Sequence, residues 1–172
     1  MSGQELTENT ILPDDTNSFG VFAAQPAITG RDGIVYIGAN DGMLHAFNGV
    51  TGVEEFAYIP SVLIPRLNLL TDPDYTHRFF VDGTANVSEA YFSSENAWHT
   101  VLTGHLRSGG RMVYALDVTF EPAAGDDEED ISRRLLWEFT HPDLGFGNSR
   151  PQVVRLHNGE WGAVFGLSLI HI

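Results

Sequence analysis

The residues of this chain that could do chemistry are its seven histidines and its 23 aspartates and glutamates. Histidine is a frequent metal ligand and acid–base group, because its pKa lies near physiological pH. The histidines are scattered along the chain, and the H-E-x-x-H pattern of a helical zinc site does not occur. His45 falls on a predicted strand, where its ring shares one face with Met43 and Phe47. We therefore predict that His45 is a packed, hydrogen-bonded side chain and not a metal ligand.

The carboxylates do not match a calcium loop of the D-x-D-x-[DN]-G type, which wraps oxygen ligands around a glycine turn. The stretch DPDYTHRFFVDG, residues 72–83, contains Asp72, Asp74 and Asp82, but Pro73 and the wide spacing break the pattern. The run GDDEED, residues 125–130, lacks a fixed cage and is predicted to be a solvated loop. The sequence therefore predicts no metal ligand and no cofactor within this chain.

Several classes of function are excluded by composition and by missing patterns. The chain has no cysteine, so it has no disulfide, thiolate nucleophile or cysteine zinc site. Neither the G-x-S-x-G turn of serine hydrolases nor the G-x-x-x-x-G-K-[ST] phosphate loop occurs. The formal net charge of −14 would be repelled by phosphate backbones, which excludes nucleic acid as a partner.

The length of 172 residues suggests one domain, and three considerations bear on its location. No apolar run reaches the roughly 18 residues of a membrane-spanning helix. The polar, acidic start MSGQELTENTILPDD is not a signal peptide. If the protein is exported, we expect its signal to lie upstream of this sequence.

The elements that position these residues read as short antiparallel strands separated by glycine turns. The turns NDG at 40–42, NGVTG at 48–52 and HNG at 157–159 tolerate positive φ. Residues 61–70 interrupt the pattern and predict a short helical insertion, in which Ser61 caps the helix and Pro65 lies in its first turn. The predicted strands are residues 33–39, 43–47, 53–59, 77–83, 86–92, 97–104, 109–119, 133–139, 150–156 and 160–166.

Some of these segments repeat one another. Ala46 corresponds to Ala115, Asn48 to Asp117, and the pair at 55–56 to the pair at 136–137. Repeated antiparallel strands at this spacing predict propeller blades with insertions. A closed propeller needs about four to eight blades, whereas this chain accounts for two to three. At repeat positions, Trp98, Trp137 and Trp161 are predicted to be core or inter-blade packing residues rather than a sugar-stacking platform.

Six stretches in one order resemble a known family. They are GANDGMLHAF, DYTHRFFVDG, WHTVLTG, GGRMVYALDVT, LLWEFTHPDLGFG and RPQVVRLHNGEWGAVFG, and they cover residues 30–166. In this order the stretches resemble the C-terminal propeller domain of the PilC/PilY family of type IV pilus tip-associated adhesins and biogenesis factors. The signature residues are Asn40, Asp41, Gly42, His45, Tyr75, His77, Asp82, Gly83, Trp98, Asp117, Trp137, Gly145 and Trp161.

The resemblance implies an all-β fold, namely a partial quinoprotein-like β-propeller of two to three antiparallel blades. It implies export to the outer membrane, cell surface or pilus tip, and partners among pilins, minor pilins and host or abiotic surfaces. It implies roles in pilus biogenesis, surface adhesion and twitching motility, without catalysis. It also implies calcium in the full-length family domain, at a loop that we expect beyond Gly166.

Two other functions remain open on the sequence. The stretch AFNGVTG is similar to the A-x-D-x-x-T-G turn of pyrroloquinoline-quinone propeller dehydrogenases, but Asn48 replaces the aspartate and the tryptophan usual after that turn is absent. The adjacent cysteines of many such enzymes are also missing. A generic protein- or glycan-binding propeller is the other alternative, because propellers host unrelated functions.

The sequence predicts three segments. Residues 1–24 are expected to be a linker or incoming loop, and residues 25–166 an incomplete propeller domain. Residues 167–172 match the translation of a transposase adapter used in preparing sequencing libraries. We expect them to be an artefactual tail fused after Gly166.

Overall fold

The computed structural model describes residues 18–120, 128–147 and 149–166. Within these ranges, nine strands form three antiparallel sheets, with the strands of each sheet in chain order. Two short helices, α1 (Phe19–Ala23) and α2 (Pro26–Thr29), precede the first sheet, and α3 (Glu128–Ser132) precedes β7. The strands are β1 (Ile34–Gly38), β2 (Leu44–Asn48) and β3 (Glu54–Tyr58); β4 (Asn86–Phe92), β5 (Ala97–His105), β6 (Val113–Asp117) and β7 (Leu135–Phe139); and β8 (Gln152–Arg155) and β9 (Trp161–Val164).

The predicted repeat is present in the backbone. In the first sheet, the β2–β3 register shifts between Ala46 and Phe47, and in the second the β6–β7 register shifts between Ala115 and Leu116. After the shift, Asn48 Oδ1 accepts the Val50 amide at 2.9 Å, as Asp117 Oδ1 accepts that of Thr119. β1, β2 and β3 therefore correspond to β5, β6 and β7, and the all-β partial propeller is confirmed.

Most of the core lies between the first and second sheets. Each sheet offers an apolar face that only its neighbour can cover, so burial joins the sheets. A smaller cluster of Ala90, Val101 and Ala115 receives Val153 and Trp161 of the third sheet. The buried residues between the first two sheets are Leu44, Leu63, Phe80, Val81, Leu102, Leu106, Met112, Tyr114, Leu116 and Val118.

The insertion between the first two sheets is a 3₁₀ helix, Ser61–Thr71. This confirms a helical insertion, but the predicted cap is wrong. Pro60 occupies the cap position, and the Ser61 hydroxyl donates to Glu138 on β7. Pro65 lies inside the helix and not in its first turn. A 3₁₀ helix is consistent with this sequence, because proline removes one backbone donor and disfavours a continuous α-helix.

The strand predicted at residues 77–83 does not form, because this segment runs irregularly over the ends of two sheets. The Phe80 amide donates to Asn40 Oδ1 at 3.2 Å, and the Val81 amide to the Ala39 carbonyl at 3.2 Å. Phe80 and Val81 are both buried. The backbone amides of this segment therefore donate to the turn after β1, and its apolar side chains pack in the core.

Two further segments differ from the sequence prediction. α1 lies within residues 1–24, where a loop was expected, because Ser18 accepts the Val21 amide at 3.3 Å and Phe22 is buried. The acidic run is helical from Glu128 onwards. Residues 1–17, 121–127, 148 and 167–172, including the predicted tail, lie outside the described residues. No helix in the described ranges is long and apolar enough to cross a membrane.

Gly83 provides a test of this irregular segment. A Cβ at this position would lie 1.9 Å from the His105 carbonyl oxygen, so β5 or the segment would have to move. We expect Gly83→Ala to lower the free energy of unfolding by about 3 kcal/mol, as overpacking against backbone does. Gly33→Ala is the matched control, since no atom lies within 4 Å of its added Cβ. Equal stability of the two variants in urea denaturation would contradict this packing.

Candidate functional site at the junction of the first two blades

Glu138 is the centre of a polar junction between the first two sheets. β7 carries this carboxylate, which accepts hydrogen bonds from the Tyr58 hydroxyl at the end of β3 and from the Ser61 hydroxyl. It also accepts the Ser61 amide at 2.8 Å. Three donors, one from the first sheet and two from the insertion that follows it, thus converge on a single carboxylate of the next sheet. Charge-assisted bonds of this kind are stronger than neutral ones.

The electrostatics of this junction keep Glu138 ionised and Tyr58 neutral. Burial raises the pKa of Glu138, but the hydrogen bonds from Ser61 and Tyr58 outweigh it and leave the pKa below its usual value. Burial, followed by the Glu138 hydrogen bond, raises the pKa of Tyr58. The phenol therefore remains a donor and the carboxylate an acceptor throughout the physiological range.

Tyr114 lies behind this junction in the core. Its ring is 5.0 Å from that of Tyr58 and is fully buried. Its hydroxyl has no hydrogen-bond partner among the described residues, and burial raises its pKa. Gly104 makes room for the ring, since a Cβ there would lie 2.3 Å from Tyr114 Cζ. The junction thus has a polar rim and an aromatic interior.

Two arginines connect the same pair of sheets elsewhere. Arg31 Nη1 donates to Thr100 Oγ1 at 2.9 Å and to the Thr119 carbonyl at 3.0 Å. Arg66 Nη1 donates to the Gly109 carbonyl at 2.5 Å, and its guanidinium carbon lies 5.2 Å from the centre of the Phe80 ring. Each arginine therefore fixes one segment of the first blade against the second.

A cleft of about 330 Å³ lies between these sheets beside Arg31. Its walls include Phe56, over which the Arg134 guanidinium stacks at 5.5 Å. Carboxylates of Asp32 and Glu55 line the same cleft. Mixed charges around an aromatic wall can hold a ligand, but the described residues that line this cleft include no nucleophile paired with a base.

The signature turn NDG holds backbone in place. Gly42 has a φ of +101°, which glycine adopts without strain. Asp41 Oδ1 accepts the Met43 amide at 3.0 Å, and Asp41 Oδ2 lies 2.8 Å from His45 Nε2. Asn40 accepts the Phe80 amide, as described above. These three residues therefore shape the β1–β2 turn and attach the irregular segment to it.

His45 is held between two carboxylates, as a hydrogen-bonded histidine was predicted to be. Its Nδ1 is 2.5 Å from Glu54 Oε1, and its ring stacks on Phe47 at 5.8 Å. The Glu54 hydrogen bond raises the pKa of His45, burial opposes the rise, and Asp41 adds to it. No group of three His, Asp or Glu side chains among the described residues is arranged to hold a metal ion.

The remaining signature residues are spread over the molecule and do not form one site. The Tyr75 hydroxyl accepts the Arg78 amide at 3.1 Å, and the His77 ring meets that of Phe79 edge-on at 5.1 Å. Asp82 Oδ2 lies 3.9 Å from Arg107 Nε, and Asp117 Oδ2 lies 2.8 Å from His99 Nδ1. Gly145 lines a small pocket beside His105.

The tryptophans have different environments. Trp98 is 4% exposed, and its ring meets that of Trp161 at 5.5 Å and that of Phe19 at 5.1 Å. These contacts join the second sheet to the third and to α1, as predicted for packing residues. Trp137 lies opposite Ala115. Its side chain is 37% exposed in the described part of the chain, so it does not belong to the core there.

The sequence did not indicate the junction residues Glu138, Tyr58 and Ser61. One signal was available, since Glu138 interrupts the apolar strand residues Leu135–Phe139. Its partners come from about 80 positions earlier in the chain, and no local pattern marks them.

Similarity to known proteins agrees with the predicted family. A sequence model of the PilY1 β-propeller domain matches residues 9–169. The chain belongs to this PilY1 β-propeller family. The type IV pilus biogenesis factor PilY1 of Pseudomonas aeruginosa strain UCBPP-PA14 is 50% identical over 138 residues, which are 77% of this chain. A PilY1 homolog of Xylella fastidiosa strain Temecula1 is 40% identical over 153 residues, or 87% of the chain.

The crystal structure of the P. aeruginosa PilY1 C-terminal domain is similar, with a TM-score of 0.64 and 41% identity. The similarity covers 88% of this chain and 27% of that one. The chain spans 11% of the length of the P. aeruginosa relative and 12% of the X. fastidiosa relative. The relatives are named as pilus biogenesis factors, which does not favour the dehydrogenase alternative.

The Glu138 junction should depend on pH. Because the folded-state pKa is lowered, its contribution is present above the unfolded pKa of about 4.3 and is lost as pH falls through the folded pKa. We expect Glu138→Gln to cost about 1 kcal/mol near neutral pH, after allowance for solvent screening, and progressively less in acid. Urea denaturation across this range measures the difference. Glu89→Gln on β4 is the control, and a constant difference for Glu138→Gln would contradict the assignment.

His45 should have the opposite pH dependence. Because its pKa is raised, its stabilisation is fully present below the unfolded pKa of about 6.5 and is lost as pH rises through the folded pKa. We expect His45→Gln to lower the thermal midpoint more at about pH 5.5 than at about pH 9. His157→Gln, at an exposed turn position, is the matched control. A larger loss for His45→Gln in alkali would refute the pairing.

Proposed function

We propose that this chain is propeller sequence of a type IV pilus biogenesis factor and serves as a structural and adhesion module, not as an enzyme. The observation that carries the proposal is the 50% identity over 138 residues to P. aeruginosa PilY1. The polar side chains at the blade junction support it, since Glu138, Arg31 and Arg66 bond within the protein. Such groups rigidify a scaffold and leave few of their donors or acceptors for a substrate.

The partners proposed are pilins and minor pilins of the type IV pilus, together with a host or abiotic surface. The location proposed is the outer membrane, the cell surface or the pilus tip. The name of the relatives supports an association with the pilus. The excess of acidic residues argues against a nucleic-acid partner. In this role the module contributes to pilus biogenesis, surface adhesion and twitching motility.

Calcium is proposed for the full-length family domain and not for the residues described here. Asp72 Oδ1 is engaged by the Asp74 amide at 2.9 Å, and Asp82 faces Arg107. These carboxylates do not converge on a common point, so they do not fit a calcium cage. The proposed calcium ligands therefore lie outside the described residues, in the loop that the family resemblance implies beyond Gly166.

Replacement of the corresponding segment in a relative tests the function. In a P. aeruginosa strain without PilY1, we would express PilY1 in which the homologous 138-residue stretch is replaced by that of this chain. We expect surface pili and twitching to be restored, because the two stretches are half identical. The measurements are sheared-pilin yield and the diameter of the twitching zone.

The controls for this experiment are the unmodified relative and a replacement that carries Gly83→Ala, which should restore less because its packing is disturbed. Immunoblotting of exported protein verifies that each form is made. A replacement that is exported at normal levels but restores neither pili nor twitching would contradict the proposed function.

A further inference from the structure

The chain contains two asparagine–glycine pairs, Asn48–Gly49 and Asn158–Gly159, and each lies where one strand turns back into the next. In such a pair the backbone nitrogen of the glycine can attack the side-chain carbonyl carbon of the asparagine, because glycine has no Cβ to hinder the approach. The local chemistry of the two pairs is the same. The structure therefore decides whether either of them reacts.

Asn48 is held in place by the segment that precedes β1. Its side chain is only 6% exposed, and Nδ2 donates to the Asp32 carboxylate at 2.9 Å. Oδ1 accepts two backbone amides of the turn. The Gly49 amide donates to the Gly33 carbonyl at 2.6 Å. Both the attacking nitrogen and the departing amide are thus engaged outside their own turn, so reaction at Asn48 requires local opening of the first sheet.

Asn158 lies at the exposed tip of the turn that joins β8 to β9. Oδ1 accepts the Glu160 amide at 3.1 Å, and no described residue accepts a hydrogen bond from Nδ2. The Gly159 amide donates to the Leu156 carbonyl at 2.9 Å, which is a bond within the turn itself. Fraying of this one turn frees the attacking nitrogen without movement of another segment. Water already surrounds the side chain that would be attacked.

The hydrogen bond to Asn158 Oδ1 also bears on the reaction. Attack on Cγ develops negative charge on Oδ1, and a donor already in place stabilises that charge, as in an oxyanion hole. Asn48 Oδ1 has such donors too, so this feature does not distinguish the two pairs. Exposure to water and the partner of the departing amide do distinguish them.

We propose that Asn158 is a site of spontaneous deamidation in the folded protein and that the fold protects Asn48. The Gly159 nitrogen gives its proton to water or hydroxide and forms a bond to Asn158 Cγ. The Cγ–Nδ2 bond breaks, and ammonia leaves with a proton taken from solvent. Water then opens the resulting cyclic imide at either of its carbonyl carbons, which gives aspartate or isoaspartate.

Both products change the turn between β8 and β9. Each places a new negative charge two residues before Glu160. Isoaspartate also lengthens the backbone between Arg155 and Trp161, which are opposite each other in the register of the two strands. The modification is therefore covalent, charge-changing and confined to one turn.

Peptide mapping of the aged chain tests the proposal. The purified chain would be kept in mildly alkaline buffer, where the glycine amide loses its proton more readily, and digested with trypsin at intervals. Cleavage after Arg155 gives a peptide that begins at Leu156 and contains Asn158 as its only asparagine; cleavage after Arg31 gives the peptide that contains Asn48. Replacement of NH₂ by OH raises the peptide mass, and fragmentation locates the change. Aspartate–glycine pairs that cyclise and reopen regain their mass, so they do not interfere.

We expect conversion at Asn158 to be at least about tenfold faster than at Asn48 in the folded chain, because only Asn48 requires local opening of a sheet. In concentrated urea both pairs are exposed, and we expect similar rates. This control separates the effect of tertiary structure from that of the flanking sequence. Equal rates in the folded chain, faster conversion at Asn48, or conversion of Asn158 only in urea would each overturn the proposal.

A variant and a product assay check the assigned route. Asn158→Gln moves the carbonyl carbon one methylene away and requires a larger ring, so we expect the mass change to disappear from the peptide that begins at Leu156 while Asn48 is unaffected. Labelling by an isoaspartyl methyltransferase should detect isoaspartate in the peptide of the parent chain. Aspartate without isoaspartate would indicate direct hydrolysis and overturn the cyclic route. None of these readouts involves piliation, so they are independent of the proposed pilus function.

Discussion

The burial of one apolar sheet face against the next is the interaction on which the rest of this structure depends. Leu44 of the first sheet and Leu102, Tyr114 and Leu116 of the second are almost completely removed from water. Neither sheet could cover its own apolar face, because a sheet is a single layer and a second layer must pack on it to exclude water. The polar contacts, the insertion and the irregular segment are all arranged around this shared core.

The polar groups at the junction orient the sheets more than they attract them. An ion or hydrogen-bonding group removed from water gains little net energy, but leaving it without a partner is costly. Glu138, Arg31 and Arg66 therefore penalise arrangements in which their partners on the other sheet are displaced. Apolar packing allows one sheet to slide over the other. The Glu138 carboxylate does not, because it accepts hydrogen bonds from Tyr58 and Ser61 that such a movement would break.

The repeat explains why so much of the sheet structure was predictable. A bulge after Ala46 and another after Ala115 arise from the same local pattern, and each is followed by an Asn or Asp that accepts an amide two residues on. Strand boundaries came within a few residues because alternation and glycine turns are local signals. The strand prediction for residues 77–83 was wrong. Their sequence alternates as a strand does, but the backbone of this segment forms hydrogen bonds with Asn40 and Ala39 instead of with a neighbouring strand.

The sequence by itself determined all but one of the predicted strands, the turns, the blade repeat and the family, because these follow from spacing, turn chemistry and ordered stretches along the chain. It also determined the hydrogen-bonded character of His45. Only the tertiary structure decided that Glu138 meets Tyr58 and Ser61, that Trp98 meets Trp161, and that the signature residues serve separate local roles. The reason is physical: these contacts join residues far apart in the chain, and they exist only once the sheet faces have been brought together by burial.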